Sequence, residues 1–160
     1  MTEKSMDGYK ARPDSSLDLS RFVFVLDEGG VFKAPMGKIW RLHSSPEHVH
    51  PSVPDAVFER VSENVTYIYA TQILQNGTKV KNKIRLTAYP PIGFAFEWLE
   101  GLFEGSKEFS FYIPQGEKTG VTSVGEWTSP VLDIDKVKPA VLRLMETLYE
   151  EDQINLSKME

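Results

Sequence analysis

Cysteine is absent from all 160 residues. That excludes disulfides, thiolate nucleophiles and cysteine-ligated metals, and it matches a chain kept in a reducing compartment. An excess of positive charge is also missing. The 18 Lys and Arg stand against 23 Asp and Glu, a net charge of −5, so no basic face is expected to meet nucleic acid or an anionic bilayer. No apolar run reaches membrane-spanning length and the first residues hold no signal-peptide-like apolar segment. The expected location is therefore cytoplasmic, without integral membrane association. In that compartment the acceptor-like triplets at Asn64, Asn76 and Asn155 would carry no glycans. A glycine-flanked serine elbow is lacking too, and Gly29, Gly30 and Gly37 have neither the spacing nor the lysine of a phosphate loop. No catalytic residue and no cofactor is predicted.

What is present is enough apolar material, 41% of residues, for one core in a chain of this length. The longest periodic stretch is the last, Asp133 to Glu160. There Val137, Ala140, Val141, Leu144 and Leu148 recur at helical spacing, and Leu142, Met145 and Tyr149 widen the stripe. Asp133 or Asp135 suits its N-cap and Pro139 an early turn, whereas Glu150, Glu151 and Asp152 oppose the dipole at its far end. Everything before it is strand-like. Residues 1–20 have few apolar anchors and are expected to form a flexible arm ahead of a domain spanning 21–160. Phe22 to Phe32 predicts a strand broken at Gly29 and Gly30. A short helix follows Pro35, a second helical turn covers Glu47 to His50, and a second strand runs from Ala56 to Val61.

Asn76 and Gly77 stand between two long strand-like runs and predict a two-residue hairpin turn. Counting back from a Gln75–Thr78 pair puts Tyr67, Tyr69, Thr71 and Ile73 on one face with Val80, Asn82, Ile84 and Leu86. Lys79, Lys81, Lys83 and Arg85 then make the opposite face wet. Ile92, Phe94, Phe96 and Trp98 share a face of the next strand, and Phe109, Phe111 and Ile113 one of the strand after it. Val121 to Trp127 is the last strand. Short connections make the sheet an antiparallel meander.

The order strand, short helices, antiparallel strands and long terminal helix resembles the START-like (SRPBCC) superfamily. "GVFKAPMGKIWRL" at Gly30 to Leu42 looks like that family's junction from first strand to first helix. The pair Pro90 and Pro91, "TGVTSV" from Thr119 to Val124 and the terminal helix fall where the family has their counterparts. The resemblance implies an α+β helix-grip fold: a curved antiparallel sheet of six or seven strands around the long C-terminal helix, with two short helices after strand one. It implies non-covalent binding or carriage of a small hydrophobic or amphipathic ligand between sheet and helix. Its other branches would make the chain a cyclase-like or hydrolytic enzyme using inner Tyr and carboxylate groups, or a protein-binding module of the Hsp90-activator type.

On the hairpin register, the ligand's polar contacts are expected from Tyr67, Tyr69, Thr71 and Asn82. Its walls are expected from Phe94, Phe96, Trp98, Phe109, Leu144 and Leu148. Trp40, His43, His48 and His50 fall at the mouth. The three histidines invite a metal reading, but the segment is proline-broken and lacks the nearby glutamate of a cupin-like motif, so no metal is predicted.

Overall fold

In the computed structural model residues 19–27 and 29–160 are described; the predicted arm, except for its last two residues, lies outside them. Strand β1 (Val23–Asp27) and the two-residue β2 (Val31–Phe32) both pair antiparallel with β8 (Lys118–Trp127), so the chain does break near Gly29 and Gly30 as the glycines suggest. Gly29 has φ +67, and a side chain there would meet the carbonyl oxygen of Val121, which only glycine tolerates. Helix α1 (Met36–Leu42) follows, capped by Pro35 and burying Ile39 and Leu42. Then come β3 (Val57–Arg60), β4 (Val65–Ile73), β5 (Lys79–Tyr89), β6 (Gly93–Glu100), β7 (Lys107–Gln115), β8 and the long α2 (Ile134–Lys158). The sheet order is β1-β8-β7-β6-β5-β4-β3, an antiparallel meander whose first strand returns to the last, with the long helix α2 packed against β1 and β8.

Two expectations about local structure are corrected. Glu47 to His50 is not a second short helix but a run of turns, because Pro46, Pro51 and Pro54 deny it a continuous set of backbone donors. The hairpin closes one residue later than a two-residue turn would close it. Leu74 N–H donates to the Thr78 carbonyl at 2.8 Å and Gly77 N–H to the Leu74 carbonyl at 2.8 Å, so Gln75, Asn76 and Gly77 form a three-residue loop with Gly77 left-handed at φ +81. Ile73 therefore pairs with Lys79, Thr71 with Lys81, Tyr69 with Lys83 and Tyr67 with Arg85.

That shift turns β4 over relative to the sequence reading. The lysines remain outward, as expected, and Tyr67, Tyr69 and Thr71 join them on the outer face. The Lys83 ammonium sits 5.3 Å from the Tyr67 ring centre and 5.8 Å from that of Tyr69. Thr66, Ile68, Ala70 and Gln72 take the inner positions instead, opposite Leu86, Ile84, Asn82 and Val80.

The interior consists of two apolar clusters. One joins Val25, Trp98, Leu102, Phe103 and Trp127 to Val137, Val141 and Met145 of α2. The other joins Phe32, Ala34, Ile39, Leu42, Phe94, Tyr112 and Val121 to Leu156. Each large side chain removed from water contributes about 1.5–3 kcal/mol, which makes these clusters the main force holding α2 in the sheet. Leu142, assigned to the buried stripe by periodicity, is 37% exposed, whereas Asn155 and Leu156, nearly four turns further on, are buried. Pro139 stands past the first turn, on the exposed side, and leaves the Asp135 carbonyl without its helical donor. Among the described residues no helix is long and apolar enough to cross a membrane.

Candidate functional site

On β7 the inner positions belong to Glu108, Ser110 and Tyr112, which pair with β8 at Gly125, Ser123 and Val121. Phe109 and Phe111 point outward and lie with ring centres 4.5 Å apart, so Phe109 is not a wall of the interior. The pattern of large aromatics at alternate positions identified the strand correctly and its faces wrongly. A strand carrying Phe-x-Phe on one side and Glu-x-Ser-x-Tyr on the other looks inside out unless the interior needs the polar set.

That set is continuous. Ser110 Oγ donates to Glu108 Oε1 at 2.7 Å, Ser110 and Ser123 hydroxyls are 2.8 Å apart, and Ser123 Oγ is 2.5 Å from the Tyr149 hydroxyl on α2. Ser110 and Ser123 are buried, and Tyr149 packs against both apolar clusters, so the chain of hydroxyls forms a polar seam between them. Burial raises the Glu108 carboxyl above its ordinary pKa, with the Ser110 and Ser123 hydroxyls opposing. Burial, and next the Glu108 charge, pushes the Tyr149 phenol up to about 12.

The seam can run in two directions. With Glu108 ionised, every hydroxyl donates toward the carboxylate and the Tyr149 proton is used on Ser123. With Glu108 protonated, the donors can reverse, and the Tyr149 O–H is freed to donate elsewhere. Tyr112 lies beyond, its phenol raised well above the ordinary range by burial and next by the Asp152 charge.

Beyond Tyr112, His43 packs on Phe94 with centroids 4.2 Å apart, and Trp40 stacks on the same ring at 4.6 Å. Burial first, and the neighbouring His48 second, lower the His43 pKa to about 4, so it is a neutral imidazole in the folded protein at pH 7. The Trp40 Nε1–H is buried and has no hydrogen-bond partner, a donor left over inside the wall.

The predicted site residues divide accordingly. Phe94, Phe96, Trp98 and Asn82 are inner, Phe94 and Phe96 close to the seam. Trp98 is locked edge-on against Phe103 at 5.1 Å in the packed end of the core. Asn82 is 5% exposed and fully engaged: its Oδ1 accepts from Leu102 N–H at 2.8 Å and its Nδ2 donates to Gln72 at 3.0 Å. Leu144 and Leu148 are half-buried on α2, Leu144 packing on the first cluster. Tyr69 does donate to a carboxylate, Glu59 at 3.1 Å, but both lie on the outer surface. Trp40, His43, His48 and His50 are brought together near α2, the last two against its side chains. Sequence reasoning missed Glu108, Ser110, Ser123 and Tyr149. The signal was the small, polar inner alternation Ser110 with Ser123, where an ordinary core would carry branched aliphatics.

An open groove of about 670 Å³ also marks the opposite, outer surface of the sheet, lined by Phe24, Arg85, Tyr89, Glu97, Lys107 and Phe109 among others. On β7 Phe109 faces the groove, and Ser110 beside it faces the seam.

No family model matches the chain, and no curated protein matches it in sequence. Solved structures do match in fold. The di-domain ARO/CYC StfQ from the steffimycin biosynthetic pathway aligns at TM-score 0.64 and 11% identity, covering 86% of this chain and 49% of that one, so the chain spans about half its length. The allergen Ara h 8.0201 aligns at TM-score 0.66 and 8% identity, covering 86% and 99%. The Zhui aromatase/cyclase from Streptomyces sp. R1128 aligns at 0.61 and 11%, covering 85% and 90%. At these identities the likeness is one of fold: the chain has the helix-grip architecture of START-like proteins.

Proposed function

We propose that this helix-grip chain binds a small amphipathic molecule non-covalently between the inner face of the sheet and α2. The ligand's polar end would meet the Glu108–Ser110–Ser123–Tyr149 seam and its apolar body would lie along Phe94 and Phe96. One observation carries the reading: two buried serines join a half-buried carboxyl to a half-buried phenol in a row between two apolar clusters. Apolar side chains could fill that space at no desolvation cost, whereas an unpaired buried polar group costs about 1–3 kcal/mol. The unpartnered Trp40 indole N–H supplies a second donor for such a ligand. Fold neighbours that are named aromatase/cyclases agree with a molecule of this class.

Extraction of the purified protein under denaturing conditions, followed by mass spectrometry, should yield a co-purified amphipathic molecule. Titration with a fatty acid and with a polycyclic aromatic phenol, followed by tryptophan fluorescence, should be saturable for one of them. Tyr149→Phe should then weaken it by about tenfold, the equivalent of one hydrogen bond of about 1.4 kcal/mol. Saturable binding left unchanged by Tyr149→Phe and Ser123→Ala would overturn the placement, and absence of binding by either probe together with an empty extract would overturn the function.

The reversible hydroxyl chain favours a second reading, a cyclase-like enzyme in which Glu108 exchanges a proton with the ligand through Ser110. Glu108→Gln separates the two: a binder keeps its affinity within a few-fold, and an enzyme loses turnover of the bound molecule while still binding it.

A further inference from the structure

The segment that enters β3 carries His48 and His50, and α2 presents Asp152 to both. His48 Nε2 and His50 Nε2 are 3.0 Å apart, His48 Nε2 is 3.2 Å from Asp152 Oδ1, and His50 Nε2 is 3.4 Å from the same oxygen. These three atoms form a nearly equilateral triangle with one lone-pair-bearing atom at each corner. An ion about 2.0–2.1 Å from each ligand in a tetrahedral shell sets neighbouring ligand atoms about 3.3 Å apart. An octahedral face with slightly longer bonds sets them about 3.0 Å apart, so the observed edges fall in the range for first-row divalent ions.

The surroundings orient the ligands. His50 Nδ1 lies 2.8 Å from Glu151 Oε2, and a carboxylate only accepts, so in the neutral imidazole that a metal binds the proton goes to Nδ1 and the Nε2 lone pair faces the triangle. Glu151 is itself held by Ser52, whose N–H and hydroxyl donate to it at 2.8 and 3.0 Å. Asn155, one turn further along α2, donates to the Val49 carbonyl at 2.8 Å and pins the residue between the two histidines. Asp152 Oδ1 is buried and makes no hydrogen bond, so the two histidine Nε2 atoms across the triangle are the groups that face it. The side chains of His48, His50 and Asp152 are only 12%, 10% and 13% exposed.

We infer that His48 Nε2, His50 Nε2 and Asp152 Oδ1 form a binding site for a divalent first-row transition-metal ion, zinc being the ion that a His₂Asp set takes without redox demands. Glu151 orients the His50 ring as an outer partner. Three protein ligands leave the ion coordination positions for water or another small donor, the arrangement of a reactive rather than a sealed site. The inference does not depend on the ligand reading above, because none of its residues belongs to the seam.

The test uses untagged full-length protein treated with EDTA and freed of it, then titrated calorimetrically with zinc. One zinc per chain at micromolar affinity or tighter is expected, with a rise in thermal midpoint. Cobalt(II) added in place of zinc should give visible absorption bands that saturate at the same stoichiometry. Asp152→Asn, which keeps the side chain's size, should weaken zinc at least 100-fold, and Glu151→Gln by about 10–100-fold. Failure of the wild-type protein to bind zinc saturably below millimolar concentration would overturn the site without recourse to any variant. So would stoichiometric zinc that Asp152→Asn and His50→Ala leave in place, since the ion would then sit elsewhere.

Discussion

Glu108 holds its proton more tightly in the folded protein than in the unfolded chain, because burial disfavours the charged form. The sign follows from linkage. Its contribution to stability is complete below the ordinary value of 4.5 and is lost as the pH rises through the higher folded value. Glu108→Gln keeps an acceptor for Ser110 and removes the charge. Urea denaturation of this variant should match wild type near pH 4 and exceed it at pH 8, and a constant difference across that range would mean that Glu108 is not the titrating group. Asn82 makes the opposite case, since both ends of its amide are engaged by Leu102 and Gln72. Asn82→Leu strands the Leu102 N–H in the core and should cost about 1–3 kcal/mol. At about 2–4 °C per kcal/mol for a chain of this size, a scanning calorimeter resolves that loss easily.

At the scale of elements, the hairpin shows how far the sequence could be read. The two strands, the turn between them and the outward lysines of β5 were all legible, because charge alternates cleanly along Lys79, Lys81, Lys83 and Arg85. The register was not. Asn-Gly serves a two-residue turn and equally the end of a three-residue one, and the one-residue difference moved Tyr67, Tyr69 and Thr71 to the outside. On β7 the error had a different origin: aromatics were taken as inward, although Phe109 lines an outer groove beside Arg85, Glu97 and Lys107 that a sequence cannot reveal. Glu150, Glu151 and Asp152 looked misplaced at the end of α2. The helix runs on to Lys158, and Glu151 and Asp152 are turned toward the His48–Ser52 segment, so their placement answers to tertiary contacts and not to the dipole. The loop geometry gives a paired prediction. Gly77→Ala forces a left-handed side chain and should cost about 1–2 kcal/mol. Gly37→Ala, inside α1 with open space where the methyl would go, should gain about 0.5–1 kcal/mol. Equal effects of the two in chemical denaturation would contradict the three-residue loop.

Across the whole molecule the two apolar clusters meet chiefly through Tyr149 and the seam. Leu42→Ala in one cluster and Val141→Ala in the other should each destabilise, and the double variant should lose their sum to within about 0.5 kcal/mol. Ser123→Ala and Tyr149→Phe share one hydrogen bond, so their double variant should depart from additivity by about 0.5 kcal/mol or more. Strong coupling between Leu42 and Val141 would show instead a single core that the seam does not divide.

The pairing of β1 with β8 also governs the order of events while the chain is being made. Val23–Asp27 leaves the ribosome well before Lys118–Trp127, its sheet neighbour among the described residues, and the hydroxyl of Thr122 that closes on the Asp27 carbonyl lies 95 residues later. At about 5–20 residues per second the first strand waits roughly 5–20 s for its partner. During that interval Phe24 and Val25 stand on an unpaired edge, and the meander from β3 to β7 can assemble without them. Completion of the sheet therefore waits for β8, which on emerging receives strands from both of its sides.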